Sequence, residues 1–208
     1  MPLNLPILLT WLRILLIPLV VAVFYLPDGW LTPHQVNLTA AGMFGFAAIT
    51  DWLDGYLARK LNQTSAFGAF LDPVADKIMV AAALIVLVKL GRVDALIALI
   101  IIGREITISA LREWMASIGA RGSVAVSMIG KLKTVAQMVA ILFLLFHETV
   151  FGLDTHLIGT WLIWLAAVLT LWSMVYYLRQ AAGVRCLDNF LGQAKKYQAI
   201  ENMKFFIV

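Results

Sequence analysis

The sequence predicts an all-α integral membrane protein with six transmembrane helices. Of its 208 residues, 62% are hydrophobic and only 13% are charged, and the mean hydropathy is +0.90. Soluble domains average about 45–50% apolar and about 25% charged residues, so the composition excludes an ordinary soluble fold. Apolar segments of the ~20 residues that a membrane-crossing helix needs account for nearly the whole chain, which indicates one domain. They lie near residues 7–26, 36–58, 71–91, 94–116, 124–147 and 156–178.

The first segment is predicted to be a retained span rather than a cleaved signal sequence. No lysine-rich region precedes it, and no small-residue cleavage site follows it. The turn "PDGW" ends this segment, "RKLNQTSAFG" follows the second, and "HETVFGLDTH" follows the fifth. Segments two to five contain charged residues within the helical pattern. We therefore expect their charged faces to point into protein or into a water-filled cavity.

The distribution of Lys and Arg predicts the side of the membrane that each loop faces. The first and fifth connections have no basic residue, and the third has Lys89 and Arg92. The second connection has Arg59 and Lys60, and the fourth region and the C-terminal tail are more basic still. Because basic residues concentrate in cytoplasmic loops, both termini and the even-numbered loops are predicted to face the cytoplasm.

The membrane domain is predicted to cover residues 1–183, and a cytoplasmic tail follows at 184–208. The end of the tail, "DNFLGQAKKYQAIENMKFFIV", differs in composition from the spans and is either a native amphipathic tail or a sequence added for expression. The net charge is +4, but the location of the charges matters more than their total, and no nucleic-acid partner is expected. Cys186 is the only cysteine, which excludes an intrachain disulfide.

Four aspartates lie around the second loop, where two apolar segments end and begin. Asp51 and Asp54 are spaced i, i+3, and Asp72 and Asp76 are spaced i, i+4, so each pair shares one face of its helix. The loop between them is short, so the two helices are expected to be neighbours that point both pairs at one volume. Converging carboxylates repel one another unless cations neutralise them. Mg²⁺ prefers carboxylates, water and phosphate, and paired metals suit displacement at phosphorus. The sequence therefore predicts a two-metal site.

Two glycines and an arginine accompany the aspartates. Gly55 follows Asp54, and Gly68 lies one helical turn before Asp72, so a phosphate could approach the backbone at both places. Arg59, one turn after Gly55, could contact that phosphate. Taken singly, glycines in membrane helices are more often packing residues, and Arg59 with Lys60 is also explained as a cytoplasmic anchor. Caps could explain one or two aspartates, but ionisable groups inside a membrane are usually functional.

The segments "DWLDGYLAR" and "GAFLDPVAD", separated by eight residues, resemble the motif of the CDP-alcohol phosphotransferase family at all eight defining positions. The family has a six-helix membrane fold, in agreement with the six predicted spans. The resemblance implies two divalent cations, Mg²⁺ or Mn²⁺, a homodimer, and Asp76 as general base in addition to metal ligand. It implies metal binding by Asp51, Asp54, Asp72 and Asp76, and CDP binding by Gly55, Ala58, Arg59 and Gly68.

The acceptor alcohol is predicted from basic residues within the later spans. Their positive charges, with few acidic neighbours, indicate an anionic acceptor such as glycerol 3-phosphate. The four residues are Arg104, Arg112, Lys131 and Lys133. In the alternative interpretation Glu105 pairs with one of these cations, Glu113 pairs with Arg112 or Arg121, and Lys133 extends to the membrane surface. Serine or choline would need such cations less.

The segments "DPVADK", "REITISALREW" and "GKLKT" are similar to the bacterial branch of the family that makes phosphatidylglycerophosphate, from about Asn4 to Tyr177. This resemblance implies transfer of a phosphatidyl group from CDP-diacylglycerol to glycerol 3-phosphate, with release of CMP, at the cytoplasmic side of the bacterial inner membrane. The alternatives are another acceptor, inositol phosphate or serine, and, more distantly, a divalent-cation transporter. A transporter would distribute its acidic residues through the depth of the bilayer, whereas these surround one loop.

Overall fold

The computed structural model describes residues 5–27, 29–60, 66–117, 128–150, 152–176 and 178–179. Within these residues the chain is all-helical apart from one short β-ladder, and it has one α-helix for each predicted span. The helices are α1 (Leu5–Ala22), α2 (Pro33–Lys60), α3 (Ala66–Lys89), α4 (Ala95–Ser117), α5 (Met128–Phe146) and α6 (Thr155–Tyr176). The predicted tail, 184–208, lies outside the described residues.

The helix boundaries differ most from the prediction at the second loop. We expected turn structure over "RKLNQTSAFG", but α2 continues to Lys60 and α3 already begins at Ala66. Asp72 is therefore in the second turn of α3 rather than at its start. A second difference is an antiparallel pair of two-residue strands, β1 (Thr149–Val150) and β2 (Leu153–Asp154), in the fifth connection. Gly152 in the turn between them has a φ of +79°, which glycine adopts at no steric cost.

Side-chain caps define the starts of α2, α4 and α6. Thr32 and Gln35 form a capping box, in which the Gln35 amide N–H donates to Thr32 Oγ1 at 3.3 Å and the Thr32 N–H donates to Gln35 Oε1 at 2.9 Å. Asp94 Oδ1 accepts from the Leu96 N–H, and Asp154 Oδ1 from the His156 N–H. Because successive helices alternate in direction, these three starts belong to the end of the bundle that is opposite the Asp51 end.

The same end of the bundle contains the two basic residues of the third connection. Arg92 donates through Nη1 to the carbonyl oxygens of Leu144 and Leu145, at 3.0 Å each, and through Nη2 to Asn37 Oδ1 at 2.8 Å. It therefore caps the C-terminus of α5 and joins that helix to α2. Lys89 Nζ lies 3.4 Å from the centre of the Tyr25 ring. Arg92 and Lys89 thus both interact with other parts of the protein. Neither residue contradicts the membrane orientation that the basic residues of the other loops predict.

The packed interior is formed by apolar side chains from all the helices, and α1 packs against both α2 and α3. Helix α5 packs against α2 and α3, and α4 packs against α3. Helix α6 approaches α5 closely at Gly159, where an added Cβ would lie 2.8 Å from Leu144 Cγ. Small residues allow such close approach in membrane helices. The largest fully buried apolar side chains are Phe44, Leu84, Leu87, Ile101, Met115, Ile141, Leu144, Leu145 and Ile163.

The outer surface of the bundle is strongly apolar. Helix α6 exposes an unbroken stripe of large side chains at helical spacing: Trp161, Leu165, Val168, Trp172 and Val175. Contiguous apolar surface of this kind marks contact with lipid or with another protein. By length and composition, two stretches within the described residues are able to cross a membrane, Leu8–Tyr25 and Thr155–Tyr176, and Lys133–Phe146 is a shorter apolar helix.

Candidate active site

Helix α1 holds one aspartate from each of the two acidic pairs. Thr10 Oγ1 donates a hydrogen bond of 2.6 Å to Asp72 Oδ1 on α3. Arg13 Nη1 forms an ion pair of 2.6 Å with Asp51 Oδ1 on α2. Thr10 and Arg13 are both fully buried, and their i, i+3 spacing places them on one face of α1. A polar face of an otherwise apolar helix therefore links the two acidic helices.

Helix α1 packs against both acidic helices. It also supplies the polar partners of Asp51 and Asp72. The carboxylates of the two pairs are close enough to interact electrostatically, Asp51 with Asp72 and Asp51 with Asp76.

Asp76 is the least satisfied of the described aspartates. Its Oδ1 atom is buried and has no hydrogen-bond partner within the described parts of the chain. Its electrostatic neighbours are Asp51, Arg13, Glu105 and Lys77. A buried carboxylate oxygen without a partner costs free energy, and such atoms in native proteins are usually paired with an ion, a water or a ligand. Asp76 is therefore suited to bind a cation or a hydroxyl group.

The donor set is chemically suited to hard divalent cations, which prefer oxygen ligands. In the described ranges, no group of three or more acidic, His or Cys side chains is already arranged around one metal position. The side chain of Asp54, which would complete the set, lies outside the described residues. Three neighbouring carboxylates, one of them with a buried oxygen that has no partner among the described residues, are chemically suited to hold a divalent cation.

Several residues implicated by the sequence are only partly described. Asp54, Gly55, Ala58 and Arg59 belong to the last turns of α2, but their side chains are outside the described part of the structure. The same holds for the side chain of Lys131 in the first turn of α5. Their predicted roles stay predictions. Gly68 is described: it is buried in α3, one turn before Asp72.

A second polar cluster joins α4, α5 and α6. Glu105 Oε1 accepts from Arg104 Nη1 at 2.8 Å and from Lys133 Nζ at 2.7 Å. Arg104 Nη2 donates to Ser173 Oγ at 3.0 Å, and the Ser173 hydroxyl donates to the Thr170 carbonyl oxygen. Arg104 and Lys133 are buried, with side-chain exposures of 7% and 1%. This is the arrangement that the alternative interpretation anticipated, in which Glu105 pairs with a cation.

The second cluster extends towards both the surface and the aspartates. Arg104, Ile108 and Arg112 are spaced four residues apart on α4, and the first two are buried whereas Arg112 is exposed. Arg112 interacts electrostatically with Lys133, and Glu105 interacts electrostatically with Asp76. The structure thus brings Arg104, Arg112 and Lys133 into one region that borders the aspartate site.

The sequence prediction omitted the polar residues that support these two clusters. Thr10 and Arg13 stand in an apolar first span, and an isolated arginine at such a position is a signal that could have been used. Ser173 and Thr170 on α6 and Gln137 on α5 gave no comparable signal, because small polar residues are common in membrane helices. All five are buried. Gln137 Oε1 and Thr170 Oγ1 have no hydrogen-bond partner among the described residues.

Half-buried carboxylates beside buried cations, in an all-helical chain with an apolar exterior, are typical of a membrane-associated enzyme that handles phosphate groups. The family model for CDP-alcohol phosphatidyltransferase matches residues 3–172, and the chain belongs to that family. The family is membrane-associated and generally depends on divalent cations.

Two curated relatives illustrate the similarity. The CDP-diacylglycerol–glycerol-3-phosphate 3-phosphatidyltransferase of Salmonella typhimurium (strain LT2) is 51% identical over 185 residues, which are 88% of this chain and 97% of the relative. The protein of the same name from Escherichia coli (strain K12) is 52% identical over 191 residues, 91% of this chain and 100% of the relative. The family match over residues 3–172 includes both polar clusters apart from Ser173.

Proposed function

We propose that this chain transfers the phosphatidyl group of CDP-diacylglycerol to the primary hydroxyl of sn-glycerol 3-phosphate. The observation that carries the proposal is that two polar clusters built on neighbouring helices lie side by side, the aspartates with Thr10 and Arg13, and Glu105 with Arg104 and Lys133. A carboxylate site suited to a nucleotide pyrophosphate with its cations lies next to buried cations suited to a second phosphate. The names of the relatives, at about half identity over most of the chain, support the same pair of substrates.

In the proposed reaction, the primary hydroxyl oxygen of the acceptor attacks the phosphorus that bears the diacylglycerol. The bond from that phosphorus to the bridging oxygen of the CMP group breaks, and CMP leaves with the electron pair. Asp76 accepts the proton of the attacking hydroxyl. The buried, unpartnered Oδ1 of Asp76 supports this role, because a general base needs a free lone pair within reach of the acceptor. Phosphatidylglycerophosphate remains in the membrane.

The chain is proposed to hold two divalent cations, Mg²⁺ or Mn²⁺, through Asp51, Asp54, Asp72 and Asp76. When bound, the cations supply positive charge that offsets the repulsion between two anionic substrates and stabilises the leaving phosphate. Thr10 fixes the orientation of the Asp72 carboxylate through its 2.6 Å hydrogen bond. Partners that orient a metal-binding carboxylate in this way strengthen cation binding.

The remaining substrate contacts are assigned by chemistry and position. The CDP group is proposed to lie along Gly55, Ala58, Arg59 and Gly68. The position of Gly68 on α3, one turn before Asp72, supports this, because glycine has no side chain to keep a nucleotide away from the helix. The phosphate of the acceptor is proposed to bind Arg104, Arg112, Lys131 and Lys133. Arginine and lysine donate charge-assisted hydrogen bonds to phosphate oxygens, and burial of Arg104 and Lys133 strengthens them.

The helices are proposed to form six transmembrane spans in the bacterial inner membrane, with both termini and the active site on the cytoplasmic side. Support comes from large apolar side chains that are more than half exposed on every helix: Leu15, Ile49, Ile85, Leu99, Val135 and Trp172. Within the described parts of α2 to α5 the buried charged residues are Arg104 and Lys133, and both pair with Glu105, as a low-dielectric surrounding requires. A homodimer is proposed on the family resemblance.

The decisive experiment is turnover of CDP-diacylglycerol by the purified chain, with CMP release as the readout. Glycerol 3-phosphate, inositol phosphate and serine are supplied in parallel, each with and without EDTA. We expect release only with glycerol 3-phosphate and only without EDTA. Release with inositol phosphate or serine instead would replace the proposed acceptor, and release that EDTA does not affect would contradict the cation site.

A further inference from the structure

We propose that Glu105 is an internal anion that occupies the acceptor's phosphate position until the acceptor arrives and so selects for doubly charged acceptors. The inference rests on the proposed function and adds a specificity-determining residue to it. Its basis is that one carboxylate oxygen, Oε1, accepts from both Arg104 and Lys133, at 2.8 and 2.7 Å. Two buried cations that converge on a single oxygen have the geometry with which they would bind one oxygen of a phosphate.

The exposures within the cluster indicate which member moves. The Glu105 side chain is 26% exposed, whereas Arg104 is 7% and Lys133 only 1% exposed. Glu105 therefore lies on the accessible side of the two cations, where an entering anion meets it first. Arg104 is also held in place by α6, because its Nη2 donates a hydrogen bond to Ser173 on that helix. When Glu105 swings away, the cations stay in place.

An unused donor in the same cluster points independently to a ligand. Arg104 Nε is buried and has no hydrogen-bond partner among the described residues, although the guanidinium is engaged at both of its other nitrogens. Because Glu105 contacts the guanidinium through one oxygen only, the N–H at Nε of Arg104 is left without an acceptor among the described residues. A phosphate has three terminal oxygens, enough to accept from Lys133 and from two edges of the Arg104 guanidinium together.

The charges account for selectivity. With Glu105 in place, the two buried cations carry one compensating negative charge, and Arg112 adds a further positive charge nearby. A phosphate dianion replaces the carboxylate with more charge and more acceptor atoms, so the exchange is favourable. A neutral alcohol or a zwitterion such as serine offers no such replacement, because the site would lose its anion and leave two buried charges unpaired.

The test compares the wild-type chain with Glu105→Gln, which keeps the shape of the side chain and removes its charge. The readouts are the KM for glycerol 3-phosphate and the inhibition constant of inorganic phosphate in the CMP-release assay. Because the competing charge-assisted contacts are lost, we expect both constants to fall by about tenfold. If both constants instead rise, Glu105 only orients the cations and the inference is wrong. Glu148→Gln changes a glutamate that pairs with the exposed His34 at the opposite end of the bundle; it is the control and should leave both constants unchanged.

A binding measurement keeps the test independent of turnover. Thermal unfolding of the purified variants is followed in detergent with increasing inorganic phosphate, and Glu105→Asp is added as a milder change that shortens the carboxylate. Phosphate should stabilise Glu105→Gln most, Glu105→Asp less, and the wild type least; the reverse order refutes the exchange. If the wild type releases no CMP with glycerol 3-phosphate, the proposed function fails, while the phosphate series still decides whether Glu105 occupies an anion site.

Discussion

The ion pair between Arg13 and Asp51 gives the sharpest prediction for stability. Replacing Arg13 with Met removes a fully buried guanidinium and leaves Asp51 without its charged partner. Breaking a buried pair costs about 3–5 kcal/mol, whereas an exposed pair contributes about 0–1 kcal/mol. Arg13 is 0% exposed and Asp51 is 39% exposed, so the pair lies between these limits. We expect Arg13→Met to lower the free energy of unfolding by about 2–3 kcal/mol in EDTA.

The assay is reversible unfolding in mixed detergent micelles, followed by the fluorescence of the chain's seven tryptophans. Three chains are compared: Arg13→Met, the double variant Arg13→Met/Asp51→Asn, and Leu15→Met as a control on the exposed face of α1. The double variant should recover most of the loss, because no carboxylate is left uncompensated. Mg²⁺ should also stabilise Arg13→Met more than the wild type, since the cation replaces the missing guanidinium. Equal stability of Arg13→Met and wild type in EDTA would refute the reasoning.

Three further predictions concern the reaction. Asp76→Asn should reduce CMP release by about 10²–10⁴-fold while binding of the CDP-lipid partly survives; normal turnover would remove Asp76 as the base. Arg104→Gln should raise the KM for glycerol 3-phosphate by about tenfold and leave that for CDP-diacylglycerol unchanged, in initial-rate measurements with each substrate varied. Thr10→Val, which removes the hydrogen bond to Asp72, should weaken Mg²⁺ binding by about tenfold in titrations of activity; unchanged affinity would show that Thr10 does not support the cation site.

The helices could be predicted from the sequence because each apolar segment has the length of a membrane-crossing helix. The short ladder Thr149–Val150 and Leu153–Asp154 could not, since strands of two residues have no periodicity to detect. The start of α3 was also misplaced. The segment from Ala66 to Phe70 already belongs to α3, whereas the polar residues before it and Gly68 had extended the predicted turn as far as Gly68.

The contacts of the site were harder to predict than its residues. The spacing of the aspartates indicated which face each one occupies, but their partners Thr10 and Arg13 depend on α1 packing against both acidic helices, which no local pattern encodes. Likewise, the sequence placed one glutamate among several cations. It did not reveal that a single oxygen of Glu105 accepts hydrogen bonds from both Arg104 and Lys133, because that depends on the relative position of α4 and α5.

The Arg92 cap has a mechanical consequence. It fastens the C-terminus of α5 to Asn37 of α2 at the end of the bundle far from the aspartates. Asp51 is fourteen residues further along α2, about 21 Å at 1.5 Å per residue. Arg13 of α1 holds the same helix at Asp51, so α2 is anchored near both of its ends, to α5 at one and to α1 at the other. About four turns of helix thus set the spacing between the Arg92 cap and the aspartate site.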